Sequence, residues 1–242
     1  MLLLSLFSST FSVAGKWQLL TGEWPPYTTE KIKGGGLCVE IVRAVLNVKN
    51  QPFEIKFLPW SRALMYVSHN EAIGTFAWCY TIDRAKIYNW TLHFVQQKEI
   101  FIYCKYYHQY IIWNSFKDLR KYKIGGTQGY SHVETLRRNN LNVDVCCSDI
   151  INIRKIYANR IDIFPIDMLT ARFLIAKEYS DKKEIFGFSE KVFNDSSLGL
   201  MVSKTHPKNH QFITLFNDGL NRIKSNGTLN KIYQSWNERL IL

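Results

Sequence analysis

The feature that most constrains the fold is a regular alternation of short apolar strands with amphipathic helices. A strand predicted at 17–21 is followed by a helix whose apolar residues between 37 and 46 recur at helical spacing. Further strands at 53–58 and 73–79 flank a second helix at 61–68. Strands separated by helices are typical of parallel sheets that are covered by helices. The sequence therefore predicts an α/β fold.

The alternation continues through the second half of the chain. Its predicted elements are a helical turn at 116–121, strands at 123–126, 143–147 and 161–166, and helices at 131–138, 148–160 and 167–178. A strand at 198–203 and helices at 211–224 and 229–239 complete the chain. A chain of 242 residues is long enough for one large domain or for two units of this kind.

The chain is strongly basic, with 31 Lys and Arg against 20 Asp and Glu and a net charge of +11. Part of the excess falls between residues 105 and 160. A nucleic-acid-binding protein is one class with such a charge. These cations stand singly or in pairs between apolar residues, with no zinc-finger spacing, RNA-recognition signature or long basic run. We therefore expect no nucleic-acid partner.

The N-terminus is apolar and carries no charge before Lys16. It is too short to span a bilayer, and Ser12 and Ala14 fit the small-residue rule for cleavage before Gly15. We expect residues 1–14 to be a secretory signal peptide and the mature chain to be periplasmic. A basic n-region is missing, so a start site annotated too late and a buried strand remain alternatives.

Motifs of metal sites, cofactors and catalysis are missing from the sequence. The five cysteines include no C-x-x-C pair, and no P-loop, G-x-G-x-x-G, G-x-S-x-G or H-E-x-x-H occurs. We expect no metal, no cofactor and no enzymatic activity. Export would permit disulfides, but an odd number of cysteines leaves at least one thiol unpaired; buried, unbonded cysteines are the alternative.

Candidate binding residues cluster where predicted strands end. In open α/β sheets ligands bind at the carboxyl ends of the strands. The candidates are Trp24, Trp60, Ala77, Cys79 and Arg84 in the first unit and Thr127, Gly129, Tyr130, Ser131 and Asp167 in the second. Each has an ordinary structural explanation as well, in the core, in a turn or as a helix cap. Together they predict a cleft with aromatic walls, a cation and a carboxylate.

Arg84 stands out among these candidates because of its position. Thr81 is a good helix N-cap, which places Arg84 in the first helical turn. A cation there is disfavoured by roughly 0.3–1 kcal/mol through the helix dipole. An anionic ligand group would offset that cost.

The order of motifs resembles the family 3 extracellular solute-binding proteins, the periplasmic amino-acid-binding proteins of ABC transporters. The segments that carry the resemblance are EWPPY, GGGLCVEIVRAV, LPWSRALMYV, CYTIDRAKIYNWT, NRIDIFPID and FNDGLNRIKSNGTLNKIYQSW. The T-x-x-R segment and the C-terminal segment are the most specific. The resemblance covers nearly the whole mature chain.

This resemblance implies the type II periplasmic-binding fold, a two-lobed α/β Venus flytrap. The first lobe would comprise residues 15–95 and 198–242, and the second residues 96–197. Two crossing strands, roughly 94–98 and 192–197, would form the hinge.

The resemblance also implies roles for the candidate residues. Arg84 would hold the α-carboxylate of a ligand, and Asp167 would receive its α-amino group. The loop from Thr127 through Gly129 and Tyr130 to Ser131 would add hydrogen bonds to the carboxylate. Trp24 and Trp60 would sandwich the side chain of the ligand, and Ala77 and Cys79 would occupy small-residue contact positions.

Three departures from the family pattern concern the side-chain pocket. Thr21 stands where several amino-acid binders carry an acidic residue, Ile166 replaces a polar residue, and Cys79 replaces a Ser or Thr. These changes favour a small, apolar or aromatic side chain, or a non-standard amine, over a strongly basic or amide ligand.

The function implied is capture of an amino acid or related amine by hinge closure and delivery to an ABC-type permease. We expect a monomer in this role. A sensory or regulatory module of the same fold, not coupled to transport, is the alternative.

Overall fold

The computed structural model describes residues 16–241, so the predicted signal peptide at 1–14 lies outside the described residues. The strands are β1 (Trp17–Thr21), β2 (Phe53–Phe57), β3 (Gly74–Cys79), β4 (Tyr88–Trp90), β5 (Val95–Cys104), β6 (Ile124–Thr127), β7 (Val143–Cys146), β8 (Phe164–Asp167) and β9 (Phe186–Ser203). The helices are α1 (Leu37–Val48), α2 (Trp60–Ser68), α3 (Ile82–Ile87), α4 (Ser131–Arg138), α5 (Asp149–Tyr157), α6 (Met168–Glu178), α7 (Asn209–Ser225) and α8 (Thr228–Ile241). Short 3-10 helices cover Phe116–Lys121 and Lys183–Ile185.

The sheet topology is mixed. β1 pairs in parallel with β2 and β3, as the helical crossovers predict. β9 pairs antiparallel with β3, and β5 pairs antiparallel with both β9 and β8, so the strand order is β2-β1-β3-β9-β5-β8. β6 and β7 form a parallel pair, and a bridge between Ile124 and Ile163 places β6 beside the chain that leads into β8.

Two long strands connect the lobes. β5 and β9 pair from Val95 opposite Leu198 to Cys104 opposite Phe186. The crossing segments predicted at 94–98 and 192–197 therefore lie along this one antiparallel ribbon. At the first-lobe end of the ribbon β9 pairs with β3, and at its second-lobe end β5 pairs with β8.

The hydrophobic core is divided in the same way. One large cluster joins β1, α1 and β3 to α7 and α8, so both ends of the described chain contribute to the first lobe. In α1 all the apolar positions expected to face the core are buried, and burying each such side chain contributes about 1.5–3 kcal/mol. Two further clusters lie within the second lobe, between residues 100 and 193.

Some element boundaries differ from the sequence prediction. α5 ends at Tyr157 rather than Arg160, because Asn159 adopts a left-handed φ of 55° that terminates the helix. The following strand β8 begins at Phe164 rather than Ile161, and Ile163 before it makes an isolated parallel bridge to Ile124. β4 and the first part of β9 were not predicted, because these partly polar segments become strands only through pairing with distant chain.

No helix among residues 16–241 combines the length and apolar character needed to cross a bilayer.

Candidate functional site

The predicted binding residues lie at the carboxyl ends of strands, as expected. Cys79, Thr127 and Asp167 are the last residues of β3, β6 and β8. Trp24 lies just beyond β1, and Trp60 begins α2 after β2. The Cys79 thiol at the end of β3 and the Asp167 carboxylate at the end of β8 are close enough to influence each other electrostatically, and both residues lie beside β5.

Arg84 presents its charge close to the end of β3. The Thr81 hydroxyl caps α3 by accepting a bond from the Arg84 amide at 3.2 Å, which confirms the predicted cap. The guanidinium Nη1 donates to the Cys79 carbonyl at 2.9 Å and lies 4.7 Å from the centre of the Trp78 ring. Partial burial lowers the pKa of Arg84, and no carboxylate of the described chain pairs with it. Its positive charge is therefore available to an anionic group.

Asp167 ends β8 and caps α6. Its Oδ1 accepts bonds from the Thr170 amide at 2.8 Å, the Thr170 hydroxyl at 3.0 Å and the Tyr27 hydroxyl at 2.9 Å. Tyr27 belongs to the first lobe, so this last bond crosses the cleft. Burial raises the pKa of Asp167 to about 6, although the bonds from Thr170 and Tyr27 lower it. A cation beside the carboxylate would stabilise its charged form.

The thiol of Cys79 is influenced by both this cation and this carboxylate. Its Sγ donates to Gln97 Oε1 at 3.2 Å, and the Ser196 hydroxyl lies 3.8 Å from the sulfur. Burial raises the pKa of the Cys79 thiol; nearby Arg84 lowers it and Asp167 raises it. Because Gln97 and Ser196 belong to β5 and β9, the thiol contacts the ribbon that connects the lobes.

The predicted aromatic walls are partly buried in the first lobe. The Trp24 ring packs 4.7 Å from that of Tyr27, and Trp60 packs edge-on against Trp78 at 4.9 Å. Gly22 makes room for Trp60, since a Cβ at Gly22 would overlap the indole.

Ala77 is the predicted contact residue with the least accessible surface. It is buried and adopts a φ of 67° at an irregularity in the pairing of β3 with β9. The Thr21 hydroxyl donates to the neighbouring Phe76 carbonyl at 3.2 Å. The Thr21 side chain therefore braces this bulge.

In the second-lobe loop at residues 127–131, Thr127 is hydrogen-bonded within the protein, whereas Gly129 and Ser131 are exposed to solvent. The Thr127 hydroxyl donates to Asp149 at 2.5 Å and its amide donates to His132 Nε2 at 3.1 Å, so both groups are committed within the protein. Gly129, with a φ of 83°, and Ser131, the first residue of α4, are exposed. The first amides of a helix have no intrahelical acceptor, so the amide of exposed Ser131 is placed to donate to a ligand, whereas the Val133 amide already donates to the Tyr130 carbonyl at 3.2 Å.

Tyr130 turns inward from the same loop. Its hydroxyl donates to Asp149 Oδ2 at 3.2 Å, and its ring lies 5.4 Å from that of His132. Burial raises the pKa of Tyr130, and the negative charges of Asp149, Glu99 and Asp167 raise it further. The phenol therefore lies among three carboxylates. Burial also raises the pKa of Asp149.

Sequence reasoning missed several of these residues, above all Glu99 and His132. Glu99 Oε1 lies 2.6 Å from His132 Nδ1, and both side chains are buried. His132 Nε2 accepts from the Thr127 amide, so it carries no proton; Nδ1 holds the proton and donates to Glu99. The available signal was a glutamate at the start of the apolar run EIFIYC, because such a residue in a buried strand needs a partner.

The arrangement suits binding of a small zwitterion. Arg84 offers a cation on the first lobe, Asp167 offers a carboxylate at the end of β8, and both influence the pKa of the Cys79 thiol. Metal binding has no comparable support, since the described residues contain no cluster of three or more His, Cys, Asp or Glu side chains placed to hold an ion.

Three solved structures with similar folds put this cleft in context. A histidine kinase sensor domain with similarity to periplasmic binding proteins is 16% identical, with a TM-score of 0.73 over 91% of this chain and 95% of that chain. The arginine-, lysine-, histidine-binding protein ArtJ from Geobacillus stearothermophilus is 17% identical, with a TM-score of 0.70 over 94% and 100%. The substrate binding protein of an amino acid ABC transporter is 17% identical, with a TM-score of 0.68 over 92% and 99%.

At these identities the likeness establishes the type II periplasmic-binding fold. No curated protein sequence matches the chain. A sequence model of the bacterial extracellular solute-binding proteins, family 3, matches residues 19–239. Since that match spans β1 to α8, the chain belongs to family 3 of the bacterial extracellular solute-binding proteins.

Proposed function

We propose that this chain captures a small zwitterionic ligand, an amino acid or related amine, between its two lobes. The observation that carries the proposal is the bond from the Arg84 guanidinium to the carbonyl of Cys79, which ends β3, together with the buried Asp167 carboxylate that ends β8. The ligand carboxylate pairs with Arg84, and the ligand ammonium pairs with the carboxylate of Asp167. Exposed amides at Gly129 and Ser131 add donors from the second lobe.

We expect the ligand to close the hinge, because its proposed contacts come from Arg84 on the first lobe and from Asp167, Gly129 and Ser131 on the second. A ligand that contacts both lobes binds the closed state more tightly than the open one and so shifts the population toward closure. The hinge is the paired ribbon of β5 and β9, which carries Gln97 and Ser196 against the Cys79 thiol. Binding at the site is thereby linked to the segment that bends.

Delivery to an ABC-type permease in the periplasm is the role we assign to the closed form. The family and the solved binding proteins of amino acid transporters support this assignment. We infer a binding protein rather than an enzyme, exported through its N-terminal segment and acting as a monomer.

A sensory role is the second candidate. The similarity to a histidine kinase sensor domain favours it, since that protein uses the same fold in signalling. The two roles differ in the downstream partner, which an assay can distinguish. A transport protein stimulates ATP hydrolysis by an ABC permease in proteoliposomes, and a sensor does not.

A screen of amino acids by thermal shift, followed by calorimetry of each hit, tests the binding proposal. A ligand at 100 times its Kd stabilises the fold by about 2.7 kcal/mol. Arg84→Ala and Asp167→Asn should each weaken the hit roughly 10- to 100-fold, as expected when a charged hydrogen-bond partner is lost. Arg137→Ala and Asp218→Asn, at exposed positions, serve as matched controls. Unchanged affinity in both cleft variants would refute this site.

A further inference from the structure

The pairing of β5 with β8 places a second carboxylate beside Asp167. Glu99 lies directly opposite Asp167 in the antiparallel register. Directly opposed residues project from the same face of a sheet with Cβ atoms about 4.5–5.5 Å apart. The two side chains are only 8% and 5% exposed. Like charges in this relationship are destabilising unless a cation or a donor accompanies them.

Within residues 16–241, the described donors reach one oxygen of each carboxylate. The donors to Asp167 all reach Oδ1, and the donor to Glu99 reaches Oε1. Among the described residues, the fully enclosed side-chain atoms without a partner are Trp90 Nε1, Trp113 Nε1 and Asn152 Oδ1. Asp167 Oδ2 and Glu99 Oε2 are not among them, so both oxygens remain accessible while lacking a protein donor.

Neighbouring groups do not neutralise this pair. His132 is neutral, because its Nε2 accepts the Thr127 amide, so it gives Glu99 a hydrogen bond but no positive charge. Asp149 adds a third carboxylate, and its two oxygens receive only the hydroxyls of Thr127 and Tyr130. Arg84 is the cation placed at the cleft, at the end of β3.

Counting charges then restricts the ligand. The carboxylate of an amino acid neutralises Arg84, and its α-ammonium neutralises Asp167. Glu99 is left with a free oxygen and no counter-charge. A ligand with a second cationic nitrogen would supply a hydrogen-bond donor to that oxygen and the missing positive charge.

We propose that Glu99, opposite Asp167, makes the cleft selective for an amino acid with a second cationic nitrogen, a diamino acid. This inference rests on the proposed binding of a zwitterion in the same cleft. It reverses the expectation from Thr21, Cys79 and Ile166 that a basic ligand is disfavoured. Thr21 and Cys79 lie in the first lobe and Ile166 lies in β8, whereas the additional negative charge is that of Glu99 on the hinge strand β5.

Isosteric ligand pairs provide the test. L-ornithine and L-norleucine differ by an ammonium in place of a methyl group, and so do L-2,4-diaminobutyrate and L-norvaline. Calorimetry of the full chain should give at least about tenfold tighter binding of the diamino acid in one or both pairs, as expected for a buried counter-charge.

Glu99→Gln isolates the charge, because its amide oxygen still accepts the His132 proton. The ratio of the two Kd values in the preferred pair should fall about tenfold or more in this variant. Glu134→Gln, an exposed glutamate paired with Arg138 on α4, should leave the ratio unchanged. Circular dichroism and thermal unfolding establish that both variants are folded.

The outcomes separate the two proposals. Equal binding of both members of each pair, or an unchanged ratio in Glu99→Gln, overturns the role of Glu99 and leaves the amino-acid site intact. Failure of the parent to bind any amino acid in the screen overturns both proposals.

Discussion

The Tyr27 hydroxyl donates a hydrogen bond of 2.9 Å to Asp167 Oδ1 and thereby joins the first lobe to the cap of a second-lobe helix. Both residues are buried. The bond occupies the oxygen that also caps α6 and leaves Oδ2 without a hydrogen-bond donor from the described residues. Tyr27 therefore orients the carboxylate that we assign to the ligand ammonium.

Replacing Tyr27 with phenylalanine should remove this bond while keeping the packing of its ring on Trp24. We expect a loss of about 0.5–1.5 kcal/mol in the free energy of unfolding, measured by urea denaturation. The pKa of Asp167 should rise, because the Tyr27 bond lowers it, and NMR titration of the carboxyl carbon would measure that change. Tyr80→Phe, at a half-exposed tyrosine, is the control. An Asp167 pKa that does not move would contradict this account.

Asp167 should make the stability of the ligand-free protein fall as pH rises. Burial raises its folded-state pKa to about 6, above the value near 3.9 of an unfolded chain. Between about pH 4 and 6 the folded state binds more protons, so the stabilisation from this group is complete below about pH 4 and is lost through pH 6. Its size is on the order of 2–3 kcal/mol.

Urea denaturation of the parent and of Asp167→Asn across pH 4 to 7 would measure this effect. Asparagine keeps the cap but does not titrate, so the stability difference, parent minus variant, should decrease over that interval. The same comparison with Asp218→Asn should be flat. A difference that increases with pH would refute a raised pKa.

Ligand affinity should respond to pH in the opposite sense. An ammonium pairs with the charged form of Asp167, so affinity should be full above about pH 6 and should fall as Asp167 becomes protonated below it. Calorimetry at pH 5 and pH 7 with the amino acid found by screening would test this. Equal affinity at both values would argue against an ammonium at Asp167.

His132→Ala should be among the most destabilising single changes in the second lobe. It leaves Glu99 without its donor and the Thr127 amide without its acceptor, both in the interior. Each unsatisfied buried group costs about 1–3 kcal/mol, so we expect a loss of several kcal/mol in urea denaturation. Arg138→Ala breaks a surface pair with Glu134 and should change stability little. Similar effects from the two variants would contradict the assigned burial.

Gly22→Ala tests the position of Trp60. A Cβ at Gly22 overlaps the indole ring, so Trp60 must move away from the end of β1. We expect a loss of about 1–3 kcal/mol in stability, together with a change in intrinsic tryptophan fluorescence. Gly227→Ala is an informative comparison, because there the strain comes from a φ of 78° and no side chain is in the way. An unchanged fluorescence spectrum in Gly22→Ala would place Trp60 elsewhere.

Local sequence patterns were enough to predict the alternation of strands and helices, the cap at Thr81, the position of Arg84 in the first turn of α3 and that of Asp167 at the end of β8. These features depend on local periodicity and on short motifs, which adjacent residues specify. For the same reason five of the seven buried residues of α1 were predicted, and Cys38 and Val39 were missed.

The surroundings of Asp167 depend on contacts that form in the folded chain. The register of β5 against β8 places Glu99 opposite it, and the turn after β1 brings Tyr27 to it from the other lobe. His132 reaches Glu99 from the start of α4, a helix that packs against β6 and β7. Such contacts join residues far apart in sequence, and their energies depend on burial and on the completed sheet, so no local pattern could specify them.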